Sequence, residues 1–291
     1  TLIGMKTPCL ALAALLLSLL LPAQDTLTVP AIGIVQDSLE NDAAITTAGY
    51  GFLTASTQRL LSPRNVTETE FQAMLPGIQS LETPLYATNL FLPGELKVVG
   101  PDVNEEAVIG YVDTVLRRAQ EAGLTLITWG SCGSRSLQDG FSRVEATAQF
   151  VYMGKRVAEV AEQYGILLAL ENLNTTECNF ITTLREALEV VRAVDHPNFR
   201  LCVDIYHMLM NGEPAVDIRG VGPYAVYSEI AERERRAPPG TAGDDFRPYL
   251  QALKDEGYSG NIHIEARWGE VGEQGKPAYE EMMRQVYEVY D

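Results

Sequence analysis

Residues 166–171 read Ile-Leu-Leu-Ala-Leu-Glu, a short apolar run closed by a single carboxylate, Glu171. The arrangement returns three times downstream: FRLCVD ends on Asp204, PYAVYSE on Glu229 and NIHIE on Glu265. A carboxylate directly after a buried strand is costly unless it is paired, hydrogen-bonded or bound to a metal. In a parallel α/β sheet such strand ends share one face, where acids from different strands can meet around a divalent cation.

Outward from these runs, β-rich apolar segments alternate with amphipathic helical ones, the pattern of a parallel sheet wrapped by helices. Strands are expected at residues 31–35, 49–53, 84–89, 124–129, 166–170, 199–203, 224–228 and 261–264. Capping boxes announce helices at Thr67 with Glu70, Ser142 with Glu145 and Thr183 with Glu186, since hydroxyl and carboxylate together satisfy free amides at a helix start. Gly123 and Gly165 close the long helical segments that begin near Glu105 and Val144. Eight strands with intervening helices in a chain of 291 residues predict a single (β/α)8 TIM barrel over residues 25–291. The competing doubly wound sheet lacks its Gly-rich phosphate turn after the first strand. The first connection, residues 36–48, is weakly helical. The longest irregular stretches, 91–103, 130–141 and 233–245, follow strands on the side where barrel enzymes build their sites.

The first 24 residues differ in kind. Met5-Lys6 precede an apolar run from Leu10 to Leu21 and then Pro22-Ala23-Gln24, which reads as a signal peptide, with residues before Met5 an upstream extension. The expected mature protein is therefore exported, periplasmic or extracellular. Loss of Lys6 moves the formal net charge from −17 to −18. Such acidity argues against nucleic acid and anionic membranes as partners. Cys132, Cys178 and Cys202 show no CxxC spacing, so they form neither a disulfide framework nor a zinc site, and at most one bridge is expected.

Several residues near the expected strand ends can carry chemistry. Glu171 opens Glu171-Asn172-Leu173-Asn174, with Glu177 six residues beyond it. Asp204 is followed three residues later by His207, and Glu265 by Arg267 and Trp268. His263 alternates with Glu265 and points inward, but lies two residues below the strand end and reads as structural. Trp129, Gly130 and Arg135 offer either an aromatic stacking face and an anion-binding group or, equally, a barrel-capping Trp and a surface Arg, and Asn89 is a weaker candidate.

The strings LALENLN (168–174), VDIYHM (203–208), ERRAPPG (234–240) and IHIEARW (262–268), in that order and spacing, resemble the sugar phosphate isomerase/epimerase superfamily. These are xylose isomerase-like TIM barrels that include ketose 3-epimerases and hydroxypyruvate isomerases. The resemblance implies a divalent ion held by Glu, Asp, His and Glu at the ends of strands five to eight, with the two Glu ligands as catalytic acid and base. Glu171, Asp204 and Glu265 match the first, second and fourth positions. Substrate contacts at the family's spacings fall on Glu177, His207 and Arg235. Six residues before Arg235 stands Glu229, where the family has His. As a replacement ligand Glu229 gives an all-carboxylate set suited to Mn²⁺ or Mg²⁺ over Zn²⁺, with Glu232 as its substitute should the register slip. The alternative is a degraded metal site.

The expected function is thus an exported, metal-dependent sugar isomerase or epimerase working by proton abstraction beside a carbonyl through an enediolate. The runner-up is a lyase or hydrolase of 3-keto glycosides. A third reading, from a different class, is a non-catalytic carbohydrate-binding barrel. A phosphodiesterase built on a zinc cluster is excluded, because the chain has only three histidines and no basic groove. The partner is a small sugar or glycoside, and by analogy with the family a homo-oligomer is possible.

Overall fold

The computed structural model describes residues 29–291; the expected leader at residues 1–24 lies outside them. Eight parallel strands close on themselves in chain order. They are β1 (Ile32–Val35), β2 (Phe52–Ser56), β3 (Leu85–Asn89), β4 (Leu126–Trp129), β5 (Leu167–Glu171), β6 (Phe199–Asp204), β7 (Ala225–Ile230) and β8 (Ile262–Ile264). β8 pairs back onto β1, with Gly33 opposite His263. The (β/α)8 barrel expected from the alternation of runs is the fold. Among the described residues no helix is long and apolar enough to cross a membrane.

Strand alternation sorts the side chains into two cores. Leu168 and Leu170, Leu201 and Val203, and Ile262 and Ile264 point outward and pack under the helices. Ala87, Leu126, Ala169, Cys202 and Tyr227 point inward and fill the barrel. Glu171, Asp204, Glu229 and Glu265 each lie two residues beyond an inward residue, namely Ala169, Cys202, Tyr227 and His263. The same period of two therefore delivers all four acids to the carboxyl-end mouth.

His263 closes the barrel below that mouth. Its ring packs against Tyr227, Tyr86 and Phe52 and its Nδ1 lies 3.0 Å from the Thr54 hydroxyl, itself 2.7 Å from Tyr227 Oη. Gly33 is required beneath it, because a Cβ there would sit 2.4 Å from the imidazole.

Three expectations are corrected. β2 begins at Phe52 rather than Gly49. Gly49 takes the left-handed conformation (φ 104°) to end the helix Asp42–Ala48, and the Tyr50 hydroxyl is held by Gly275 O, 2.9 Å away. Trp129 offers no stacking face to a sugar: it is the outward-facing end of β4, fully buried among Phe91, Phe150 and Phe199 with ring centroids 5.2–5.9 Å apart. Arg135 is no open anion-binding group either. It is fully buried in the short helix Cys132–Arg135, and its guanidinium donates to the carbonyls of Trp129 (3.3 Å) and Glu171 (2.8 Å). Burial lowers its pKa to about 10, against the pull of Glu171 and Glu186.

Among the described residues one disulfide forms, Cys132–Cys178, joining the loop after β4 to the loop after β5. Cys202 is free and buried inside the barrel.

Candidate metal centre and active site

Carboxylate oxygens from Glu171, Asp204, Glu229 and Glu265 lie within 4.8 Å of one another. They come from four successive strand ends, and Asp204 is level with Glu229 across the β6–β7 pair. Two of their oxygens, Asp204 Oδ2 and Glu229 Oε1, are buried without a hydrogen-bond partner. Buried carboxylate oxygens left without a hydrogen-bond partner call for a cation. The donor set is all oxygen, which fits a hard divalent ion. Glu229, at the position where the resembling family has His, points into this cluster. Its other oxygen receives the Cys202 thiol at 3.5 Å. Burial first, then the charges of Glu265, Glu171 and Asp204, drive its pKa well above the carboxylate range. Glu232 is not a ligand: its carboxylate turns away to accept the backbone N–H groups of Gly240, Ala242 and Gly243.

Each acid is held by its surroundings. Asn89 Nδ2 donates to Glu265 Oε1 at 3.0 Å, giving that residue a place in the site. Burial, reinforced by Glu171 and Asp204 and opposed by Arg236, pushes the Glu265 pKa up to about 7. Asn172 ties β5 to β6, donating to Asp204 O (3.1 Å) and accepting from Asp204 N–H (3.0 Å). His207 Nε2 lies 3.1 Å from Glu171 Oε1 and 3.4 Å from Asp204 Oδ2. Burial opposes charge on the ring, but Asp204 and Glu171 outweigh it and raise the pKa to about 9. Gly130 makes room for Glu171, since a Cβ there would approach Glu171 Oε2 to 2.0 Å.

The arginine of the site is Arg236. Arg235, expected at the family spacing, is 86% exposed and pairs only with its neighbour Glu234. Arg236, 15% exposed, contacts the Glu265 carboxylate, lies 3.6 Å from both Asp204 and Glu177, and stacks 4.5 Å over the Tyr206 ring. Both arginines have positive φ, 60° and 54°, so the chain turns at this point and strand alternation no longer tells which one faces inward. The paired arginines in ERRAPPG narrow the choice to two; the turn makes it. Asn174 is also buried here, between Glu177 and His207. Its sequence signal is an Asn followed by Thr-Thr-Glu, the spacing of a side-chain-capped turn.

The mouth forms a cavity of about 160 Å³, lined by Asn89, Gly130, Glu171, Glu177, His207, Arg236 and Glu265 among others. A wider cleft of about 440 Å³ lies along the loop after β7, lined by Arg235, Pro238 and Arg267 among others, but the converging acids do not line it. The smaller cavity is the one that Glu171 and Glu265 line.

A family model described as xylose isomerase-like TIM barrel matches residues 46–288. A mouse protein named "Putative hydroxypyruvate isomerase" is 34% identical over 128 residues, 42% of this chain and 46% of its own. The D-psicose 3-epimerase of Ruminiclostridium cellulolyticum is 30% identical over 172 residues, 57% of each chain. The chain thus spans about half the length of the curated relatives it matches. A solved L-ribulose 3-epimerase superposes with a TM-score of 0.75 at 21% identity, covering 89% of this chain and 95% of that one.

Proposed function

The chain belongs to the xylose isomerase-like TIM barrel family, and on that premise we propose that it is a metal-dependent sugar isomerase or epimerase. The observation that carries the reading is the convergence of Glu171, Asp204, Glu229 and Glu265 within 4.8 Å, two of their buried oxygens lacking partners. Relatives named as ketose 3-epimerases and hydroxypyruvate isomerases support it.

These four carboxylates would hold a divalent ion, Mn²⁺ or Mg²⁺ in preference to Zn²⁺. Bound there, such an ion would supply Lewis-acid polarisation of a carbonyl and its neighbouring hydroxyl. The chain's own groups move the proton. Glu265, fixed between Asn89 and the Arg236 guanidinium at the mouth, would accept and return a proton. Glu171, on a non-adjacent strand, would serve the other face or the adjacent carbon. Its carboxylate is oriented by His207 and backed by Gly130. Arg236 and Glu177 form the polar wall that orients substrate hydroxyls. Asn89, donating to Glu265 Oε1, would orient that carboxylate.

The protein is proposed to be exported. The leader-like residues 1–24 support this, as does the Cys132–Cys178 disulfide beside the site, since such bonds persist in oxidising compartments. Export in turn favours a free or glycosidic sugar over a phosphorylated one. The test is to incubate metal-loaded protein with ketoses and 3-keto glycosides in heavy water and follow the products by NMR. Deuterium should appear beside the carbonyl, and its incorporation should vanish in Glu171→Gln and Glu265→Gln. Elimination products would identify a lyase instead, and unchanged turnover in both variants would refute the assigned acid and base.

A further inference from the structure

We propose that the Cys132–Cys178 disulfide is a redox latch on the mouth, holding Glu177 in place only while the bond is closed; as a regulation of that site, it rests on the functional reading above. The bond crosses the cavity wall. Gly130, Ser131 and Cys132 line the mouth from the loop after β4, and Glu171, Leu173 and Glu177 line it from the end of β5 and the loop that follows. Cys178 is the residue next to Glu177.

Which side yields when the bond opens follows from what backs each loop. The loop after β4 is pressed against the loop after β3: Leu92 N–H donates to Ser131 Oγ at 3.1 Å and Lys97 Nζ to Gly133 O at 2.6 Å, and a Cβ on Gly133 would come within 2.9 Å of Gly94 Cα. It has no room to retreat. On the β5 side Glu171 is anchored separately, because Arg135 donates to its carbonyl at 2.8 Å. The turn that carries Glu177 is closed on itself, with Glu177 N–H and Cys178 N–H donating to Asn174 O at 3.1 and 3.0 Å. Besides the disulfide, its tie to the loop after β4 is the exposed pairing of the Asn179 amide with Leu137 (2.8 and 3.0 Å). Two thiol sulfurs, being non-bonded, settle about 3.5–4 Å apart. Reduction therefore drives Cys178 away from Cys132 by on the order of 1 Å or more, and Glu177 moves with it, out of the polar wall it forms with Arg236, 3.6 Å away. A misplacement of about 1 Å is enough to spoil substrate orientation. The disulfide is thus a positioning element that acts through Glu177.

Cys132 is the sulfur within reach, since it is half-buried and lines the cavity while Cys178 is buried. A dithiol entering the mouth attacks Cys132 Sγ as its thiolate, and Cys178 leaves as a thiolate that takes up a proton. The second thiol of the reductant then closes a disulfide within the reductant and releases Cys132, so that two electrons and two protons pass to the protein. Cys202, buried inside the barrel, takes no part. In a reducing compartment the chain is folded but latent, and oxidation completes the site.

The test reduces the metal-free protein with dithiothreitol and takes Cys132→Ser/Cys178→Ser as a permanently open form. Iodoacetamide followed by peptide mass mapping should label Cys132 and Cys178 only after reduction and leave Cys202 unlabelled. Amide hydrogen exchange over residues 174–179 should speed up by at least about tenfold in the reduced protein and in the variant, with the strand peptides unchanged. After anaerobic removal of the reductant and loading with Mn²⁺, KM for a sugar turned over by the oxidised protein should rise by about tenfold or more, while kcat and Mn²⁺ affinity stay within about threefold because the strand-end acids do not move. Reoxidation should restore the parent and not the variant. A bond that resists dithiothreitol in the folded protein, unaltered exchange over 174–179, an unchanged KM, or unfolding of the whole barrel on reduction overturns the proposal. Exchange that responds as expected in a protein that turns over no sugar in either redox form leaves the latch standing and counts against the functional reading alone.

Discussion

Acid stability should be set in large part by His263. The ring is fully buried, its Nε2 has no hydrogen-bond partner, and burial holds its pKa down to about 3 from an ordinary 6.5. The unfolded chain therefore binds a proton below about pH 6.5 that the folded chain refuses until about pH 3. Stability is intact above the unfolded value and is lost as pH falls between the two. With those pKa values the loss between about pH 7.5 and pH 4.5 is roughly 3 kcal/mol, approaching about 5 kcal/mol below pH 3. His263→Gln retains an amide that can meet the Thr54 hydroxyl but has nothing to protonate. Urea unfolding followed by circular dichroism, in chelator so that metal binding does not contribute, gives the stability of both proteins across this range. The parent should lose about 3 kcal/mol more than the variant. The mouth carboxylates titrate in both, so they cancel in the difference. Parallel curves, differing by less than about 1 kcal/mol, would refute the argument that the buried ring excludes a proton.

Gly130→Ala should lower kcat by on the order of a hundredfold, because its methyl displaces Glu171 Oε2, the flexible end of a side chain; the urea midpoint should hardly move. Arg236→Gln should reduce kcat/KM by at least roughly tenfold, while Arg235→Gln leaves it within about twofold; equal effects would disprove the assignment of Arg236. Trp129→Ala should cost about 3–5 kcal/mol of stability, as expected for a large aromatic removed from a packed core, with KM of the surviving folded protein unchanged. Dialysis against a chelator should abolish turnover, and Mn²⁺ should restore it better than Zn²⁺.

Much of the site was legible because strand alternation is a strong constraint. Ala169-x-Glu171, Cys202-x-Asp204, Tyr227-x-Glu229 and His263-x-Glu265 each place an acid on the inward face one step above a barrel-filling residue. Where the chain leaves the sheet that constraint ends. Arg235 and Arg236 are adjacent and chemically identical, and only a turn with φ of 60° and 54° decides that the second faces the acids. Trp129 failed as a stacking residue for a related reason: as the last residue of β4 it faces outward, and whether an outward residue meets solvent or helices depends on what packs over it.

The amino-acid sequence by itself determined the barrel, the positions of its strand-end acids and the likeness to a family, because each rests on periodicity or on short motifs within one segment. Tertiary structure decided what required segments far apart to meet. It brought Asn174 against His207, 33 residues away, Asn89 against Glu265, 176 away, and Glu232 onto its own loop instead of the acid cluster. A hydrogen bond depends on distance and direction at the ångström scale, and those are set only when the closed sheet fixes every strand end relative to the others.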